Sequence, residues 1–320
     1  MSDVGVAAGV GLGLVLGLAL AARRWKRAEE SAPLAFSSCC VHRLTSDEGL
    51  RYKLMVSLPN SYCSPASART RHPVIYALDA EPYLFPLLTV VARTEHFFKR
   101  TTWYPDLIVV GIVADIEDDF RDGKLGLNVR GLWDALRPTR ARDYLPTAAE
   151  SPWGAPGAVP LKDISGHATA FVRFLASTVV PFVDATYRTT GQRALIGKSF
   201  GGSGVAHAML DDLSSKAFQH YLLGSPSLAW DEKAFFRLEK DSSDSRAPLH
   251  AQVYASCGSK EEAQVQTLRD FKAVLESRGY PKLSVTLEVV DGEDHGSLSY
   301  PFAYRAMKWL RDQLVKELDT

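Results

Sequence analysis

The run Gly197-Lys198-Ser199-Phe200-Gly201, with Gly202 after it, sets a serine among glycines at the end of an apolar stretch and ahead of a helical pattern. A serine hydroxyl is a weak nucleophile near neutral pH. It attacks an acyl carbon when its oxygen is lifted out of the chain and a base takes its proton during the attack. A tight strand-to-helix turn lifts the oxygen at the cost of an unfavourable backbone conformation, and the residues flanking it must be small. Glycine at 197, 201 and 202 meets that need. The helix that begins there turns free N–H groups toward the serine, so the amide of Phe200 is an expected donor to the oxyanion of a tetrahedral intermediate.

The expected base is His295, in the polar loop Asp291-Gly292-Glu293-Asp294-His295-Gly296-Ser297 directly after the apolar run 285–290. The other seven histidines lack that placement. His42, His72 and His96 precede the serine, His167 opens a helical pattern, His207 lies in the helix behind the nucleophile, and His220 and His250 stand before strands rather than after them. A carboxylate is needed to hold the imidazole in one tautomer and to stabilise its charged form. The run Cys257-Gly258-Ser259-Lys260-Glu261-Glu262, following 251–256, offers Glu261 as first choice and Glu262 as its rival. Either is also at home as first-turn charge at a helix N-terminus. A second oxyanion donor is expected from Asp79-Ala80-Glu81-Pro82, where Pro82 has no N–H to give and the amide of Ala80 is the candidate. Asp79 either shapes that turn or touches substrate.

Short apolar runs at 74–78, 107–113, 194–197, 220–224, 251–256 and 285–290 each end in Gly, Asp or Ser, and a first strand is expected at 52–58. Helical patterns at 168–187, 261–278 and 302–318 alternate with them. This alternation predicts an α/β fold with a mostly parallel sheet covered on both faces, and sites in such sheets gather at the carboxyl ends of strands. Every residue nominated above follows a strand. The stretch 137–166, with five prolines and three glycines, reads as a long loop near the site. Residues 28–48 read as a linker and 49–320 as one domain.

Thirty-seven basic residues balance thirty-seven acidic ones with no basic run inside 49–320, which excludes a nucleic-acid backbone as partner. Cys39, Cys40, Cys63 and Cys257 form no C-x-x-C pair, and neither H-E-x-x-H nor H-x-H occurs. No metal or cofactor is expected. Residues 4–22 carry no charge, and as a helix their nineteen residues would extend roughly 28 Å, close to a bilayer core. Gly5, Gly9, Gly13 and Gly17 would form a smooth stripe suited to self-association. Arg23, Arg24, Lys26 and Arg27 follow the run, so 1–27 is expected to be a single-pass anchor with the catalytic domain in the cytoplasm. Export after cleavage near Ala19-Leu20-Ala21 is the alternative.

Across most of 45–315 the chain resembles the enterochelin-esterase-like branch of the α/β hydrolases, which also holds esterase D relatives. The pieces that carry the resemblance are Gly-Lys-Ser-Phe-Gly-Gly at 197–202, Leu78-Asp79-Ala80-Glu81, Arg140-Ala141-Arg142-Asp143-Tyr144-Leu145-Pro146, the Gly-Ser-Pro-Ser-Leu-Ala-Trp run at 224–230, Gly258-Ser259-Lys260-Glu261-Glu262 and Gly292-Glu293-Asp294-His295. The resemblance implies an α/β-hydrolase fold and an ester hydrolase. It implies a Ser199/Glu261/His295 triad, or a Ser/His dyad in which the acid matters less. Members cleave siderophore lactones, S-formylglutathione or simple acyl esters, so the small-molecule ester stays open. An acyltransferase or thioesterase with the same residues, and an inactive membrane-tethered binding protein, are the competing functions. The chain departs from the branch at Ala80, where relatives often have glycine, and at Lys198, where many have histidine. Arg142 is a candidate contact to an anionic or oxygen-rich substrate, with an ion pair to Asp143 as its alternative, and Trp153 is a candidate to stack on a substrate ring.

Overall fold

Eight extended runs pair in the order β1-β2-β4-β3-β5-β6-β7-β8. They are β1 (Cys39–Thr45), β2 (Arg51–Ser57), β3 (His72–Ala77), β4 (Ile108–Ala114), β5 (Thr189–Lys198), β6 (His220–Gly224), β7 (Ala251–Gly258) and β8 (Leu283–Val290). The computed structural model describes residues 39–98, 106–116, 129–150, 159–245 and 248–318. β1 with β2 and β2 with β4 run antiparallel, and every other neighbouring pair is parallel. Parallel strands covered on both faces read as near-continuous apolar runs, and β3 and β6 are buried along their whole lengths. The outer strands β1 and β8 are largely exposed or alternate with solvent.

Alternation along each strand divides the core in two. Tyr76 and Leu195 face one layer, with Tyr52, Leu54 and Val56. That layer is covered by α2 (Val129–Tyr144), α3 (Ala168–Thr186), α4 (Phe200–Leu210), α5 (Trp230–Ser245) and α6 (Glu262–Ser277). Ile75, Ala77 and Ile196 face the other, against α1 (Phe85–Phe98) and α7 (Ser299–Leu318). The α/β-hydrolase architecture thus matches what alternation and resemblance predict.

Two stretches differ from expectation. β1 lies inside 28–48, read above as linker, and pairs along its whole length with β2, from Cys39 opposite Ser57 to Thr45 opposite Arg51. As an exposed edge strand it owes its place to the ladder and to the turn at Gly49 (φ 78°), where the amide of Gly49 donates to the carbonyl of Ser46, and it carries no buried stripe for a pattern to reveal. The second difference is that residues 137–144, expected as the start of a loop, are the last two turns of α2. Pro138 inside that helix leaves the carbonyl of Asp134 without its N–H partner. Burial of Leu136, Ala141 and Tyr144, the last against Phe171, offsets the loss. Residues 151–158, with Trp153, and the segment 4–22 lie outside the described residues.

Among the described residues one helix, α3, is long and apolar enough to cross a membrane. It packs Phe171, Val172, Leu175, Val179 and Val183 into the core. Its middle turn, Leu175–Val179, widens to a π-helix just ahead of Pro181, whose missing N–H interrupts the regular ladder there.

Candidate active site

β5 ends at Lys198 and α4 starts at Phe200, so the chain turns within one residue. Ser199 takes φ 57°, ψ −125°, a region that L side chains rarely occupy. The turn is held from both sides, for the amide of Ser199 donates to the carbonyl of Gly224 at 2.8 Å and the amide of Ser203 donates to the carbonyl of Ser199 at 3.0 Å. A Cβ at Gly197 would lie 2.3 Å from the carbonyl oxygen of Gly201, which is why no side chain is tolerated two residues before the serine. The first amides of α4, beginning with Phe200, have no acceptor within the helix and point back toward Ser199.

His295 stands in the loop after β8. Asp294 shapes that loop, its Oδ1 accepting from the amides of Gly296 at 2.8 Å and Ser297 at 2.9 Å, while Ser297 Oγ accepts from the Asp294 amide at 3.0 Å. These hydrogen bonds hold the Asp294 carboxyl below its ordinary range. His295 Nε2 lies 3.0 Å from Ser199 Oγ and Nδ1 lies 2.6 Å from Glu261 Oε1. With a carboxylate at Nδ1 the ring carries its proton there, and Nε2 is left to accept from the serine.

Glu261 follows β7 and precedes the first helical residue of α6. It is buried, and its second oxygen accepts from Ser225 Oγ at 2.5 Å and from the Gly258 amide at 3.0 Å. Burial pushes the carboxyl up, but the hydrogen bonds from His295, Ser225 and Gly258 outweigh it and leave it below its usual value. Glu262 is exposed and opens α6, so of the two adjacent glutamates it is Glu261 that reaches the ring.

Asp79, at the end of β3, has φ 53° and is nearly buried. Arg140 on α2 grips it through two bonds, Nε to Oδ1 at 2.8 Å and Nη2 to Oδ2 at 2.7 Å. The same guanidinium lies 4.6 Å from the Trp133 ring centroid and 5.5 Å from that of Phe200. A Cβ at Gly201 would fall 2.8 Å from Asp79 Oδ2, so the pair packs directly on the elbow. Asp79 therefore shapes the turn beside the nucleophile. Ala80, fully buried, follows it with its methyl against Gly111.

Arg142 takes the other of its two expected places. Its Nε donates to Asp143 Oδ1 at 2.7 Å and its Nη2 to Tyr52 Oη at 3.3 Å, in a network that ties α2 to β2 rather than facing the serine. The arginine that meets the site is Arg140, which sequence reading passed over. Two residues apart on a helix point about 200° away from each other, so recognising 137–144 as helical is what separates them. Lys198 was also passed over as a functional group: buried beside the nucleophile, its Nζ donates to the backbone carbonyl of His295 at 2.5 Å. Among the described residues no group of three His, Cys, Asp or Glu side chains converges as a metal site.

The family profile described as "Putative esterase" matches residues 146–314. Among curated proteins, the chain is 28% identical over 188 residues to the ferri-bacillibactin esterase BesA of Bacillus subtilis, covering 58% of this chain and 57% of that protein. It is 30% identical over 223 residues to the siderophore enterobactin esterase of Emericella nidulans, covering 67% of each. The chain thus spans between 57% and 67% of the length of these relatives. Among solved structures, the BES protein from Bacillus cereus superposes with a TM-score of 0.66 at 22% identity, over 87% of this chain and 96% of that one. The siderophore hydrolase EstB from Aspergillus nidulans gives 0.66 at 21%, over 89% and 98%. At these identities the likeness to solved structures is one of fold.

Proposed function

This chain belongs to the esterase family, in its enterochelin-esterase-like branch, and from that premise we propose that it is a serine hydrolase cleaving a carboxylic ester through an acyl-serine intermediate. The observation that carries the proposal is the continuous path from Ser199 Oγ through the His295 ring to the buried Glu261, built on a serine held at φ 57°. Ser199 Oγ attacks the acyl carbon while Nε2 of His295 takes its proton. The carbonyl electrons move onto oxygen, where we assign the amides of Phe200 and Ala80 as donors. As the intermediate collapses, His295 returns the proton to the departing alkoxide, and a water repeats the sequence on the acyl-serine. Glu261 balances the imidazolium at each stage.

The relatives act on siderophores by their names, and an ester or lactone of that kind is the substrate class we assign. We also assign membrane attachment to residues 4–22, on their uncharged length and the basic residues after them. The test is hydrolysis of p-nitrophenyl esters of rising chain length by the full chain beside Ser199→Ala and His295→Ala. Each substitution should lower kcat by roughly a thousandfold or more, with activity pelleting with membranes through alkaline carbonate. A folded wild type that turns over no ester and takes no phosphonate label at Ser199 would refute the hydrolase, and activity released by carbonate would refute the anchor.

A further inference from the structure

The nucleophile and the base stand on strands that do not touch. β6 and β7 separate β5 from β8 in the sheet, so the position of His295 relative to Ser199 is set across two intervening strands. The loop after β8 is tied to the loop after β7, where the Lys260 amide donates to the carbonyl of Glu293 at 3.0 Å and the Ser259 amide to that of Val290 at 2.9 Å. Across to β5, besides the catalytic contact itself, residue 295 is tied by Lys198. Its Nζ, at the end of β5, donates to the His295 carbonyl at 2.5 Å.

An ammonium buried to 4% exposure is expensive to keep, and a methyl-capped side chain of similar length would fill the same space without that penalty. Burial pushes the Lys198 ammonium down to about 8, with Glu261 working against that, Arg140 adding to it, and Asp79 and Asp294 opposing it. It therefore remains mostly charged at neutral pH. These four are the charged groups around it, from the loop after β7, from α2, from the end of β3 and from the loop after β8. None of them is hydrogen-bonded to Nζ, which spends its bond on the backbone of the base instead.

We propose that Lys198 is a positioning residue for His295, its ammonium fixing the loop that carries the base against the strand that carries the nucleophile, and its charge opposing protonation of the ring. The inference rests on the hydrolase reading above. The tie and the charge act separately. Losing the donor lets the ring drift from Ser199, whereas losing only the charge leaves the ring in place but easier to protonate.

The test compares wild type with Lys198→Met, which removes donor and charge, and Lys198→Gln, which keeps a donor without the charge. Steady-state kinetics on p-nitrophenyl acetate from about pH 5 to about pH 9 are read together with an NMR titration of the His295 ring. Lys198→Met should lower kcat by about tenfold or more with KM within about twofold, and Lys198→Gln should restore most of the loss. In both variants the acid limb of kcat/KM and the titration midpoint of the ring should move up by about one pH unit. A kcat within about threefold of wild type in Lys198→Met, or an unmoved ring titration in the folded Lys198→Gln protein, overturns the proposal. If the wild type hydrolyses no ester, the hydrolase reading falls and the ring titration alone decides this one, an upward shift upholding it and no shift overturning it.

Discussion

At the scale of single residues, Glu261 shows how position decides chemistry. Its carboxyl is buried yet held below its ordinary range by three donors. A carboxyl whose folded pKa is depressed contributes stability above its unfolded value and loses it only as pH falls through the folded one. Glu261 therefore stays ionised on mild acidification. Glu261→Gln keeps the size and removes the charge, and should lower kcat by about a hundredfold or more, while Glu262→Gln stays within about twofold. Comparable losses in both variants, measured on one p-nitrophenyl ester, would contradict the assignment. Ser199 and His295 were legible in the sequence because glycine context and strand order single them out. The choice between Glu261 and Glu262 was not, since it turns on one backbone conformation: Glu261 sits before the helix at φ −99°, ψ 52°, and Glu262 is its first turn.

At the scale of elements, the strands were legible and α2 was not. Continuous apolar runs such as 108–114 announce buried strands, whereas α2 carries Pro138 and four arginines in sixteen residues and offers little periodicity to read. What holds its second half is tertiary: Tyr144 packs against Phe171 on α3, and Arg140 reaches Asp79. The exposed β1 escaped for the complementary reason, having no buried face. The Arg140–Asp79 pair joins α2, the end of β3 and the elbow, so its loss should be felt in both stability and activity. Arg140→Ala leaves the Asp79 carboxylate buried without its partner, which should lower the unfolding free energy by roughly 3 kcal/mol. The double variant Arg140→Met with Asp79→Asn removes the stranded charge and should regain much of that. Urea unfolding of the two proteins gives the comparison, and equal destabilisation in both would mean that the pair matters only for packing.

At the scale of the whole molecule, the site sits at the carboxyl ends of β3, β5, β7 and β8, and the fold must hold charge there that it would not otherwise bury. Lys198 is the clearest instance, at 4% exposure with its ammonium pushed down to about 8 from 10.5. Like Glu261 it is held below its ordinary value, but here through a penalty on the charged form rather than through partners that favour it. Because the folded protein gives up this proton before the unfolded chain does, the unfolded state binds more protons between about pH 8 and about pH 10.5, and stability from this group rises with pH across that window. Below it the full penalty of the buried charge is present, roughly 3 kcal/mol for a shift of this size. Other groups titrate in the same range with the other sign, the Cys257 thiol among them, since burial pushes it up to about 12. The difference between wild type and Lys198→Met cancels them. Measured by chemical unfolding at intervals from about pH 6 to about pH 10, that difference should be flat below about pH 7.5 and then move in favour of wild type by about 2 to 3 kcal/mol. A difference independent of pH would mean that the ammonium is solvated in the folded protein, and a buried positive charge beside the nucleophile would no longer need a functional reason. A rise of the expected size would mean that the fold gives up stability at neutral pH to keep that charge against the base, as sites built for chemistry do.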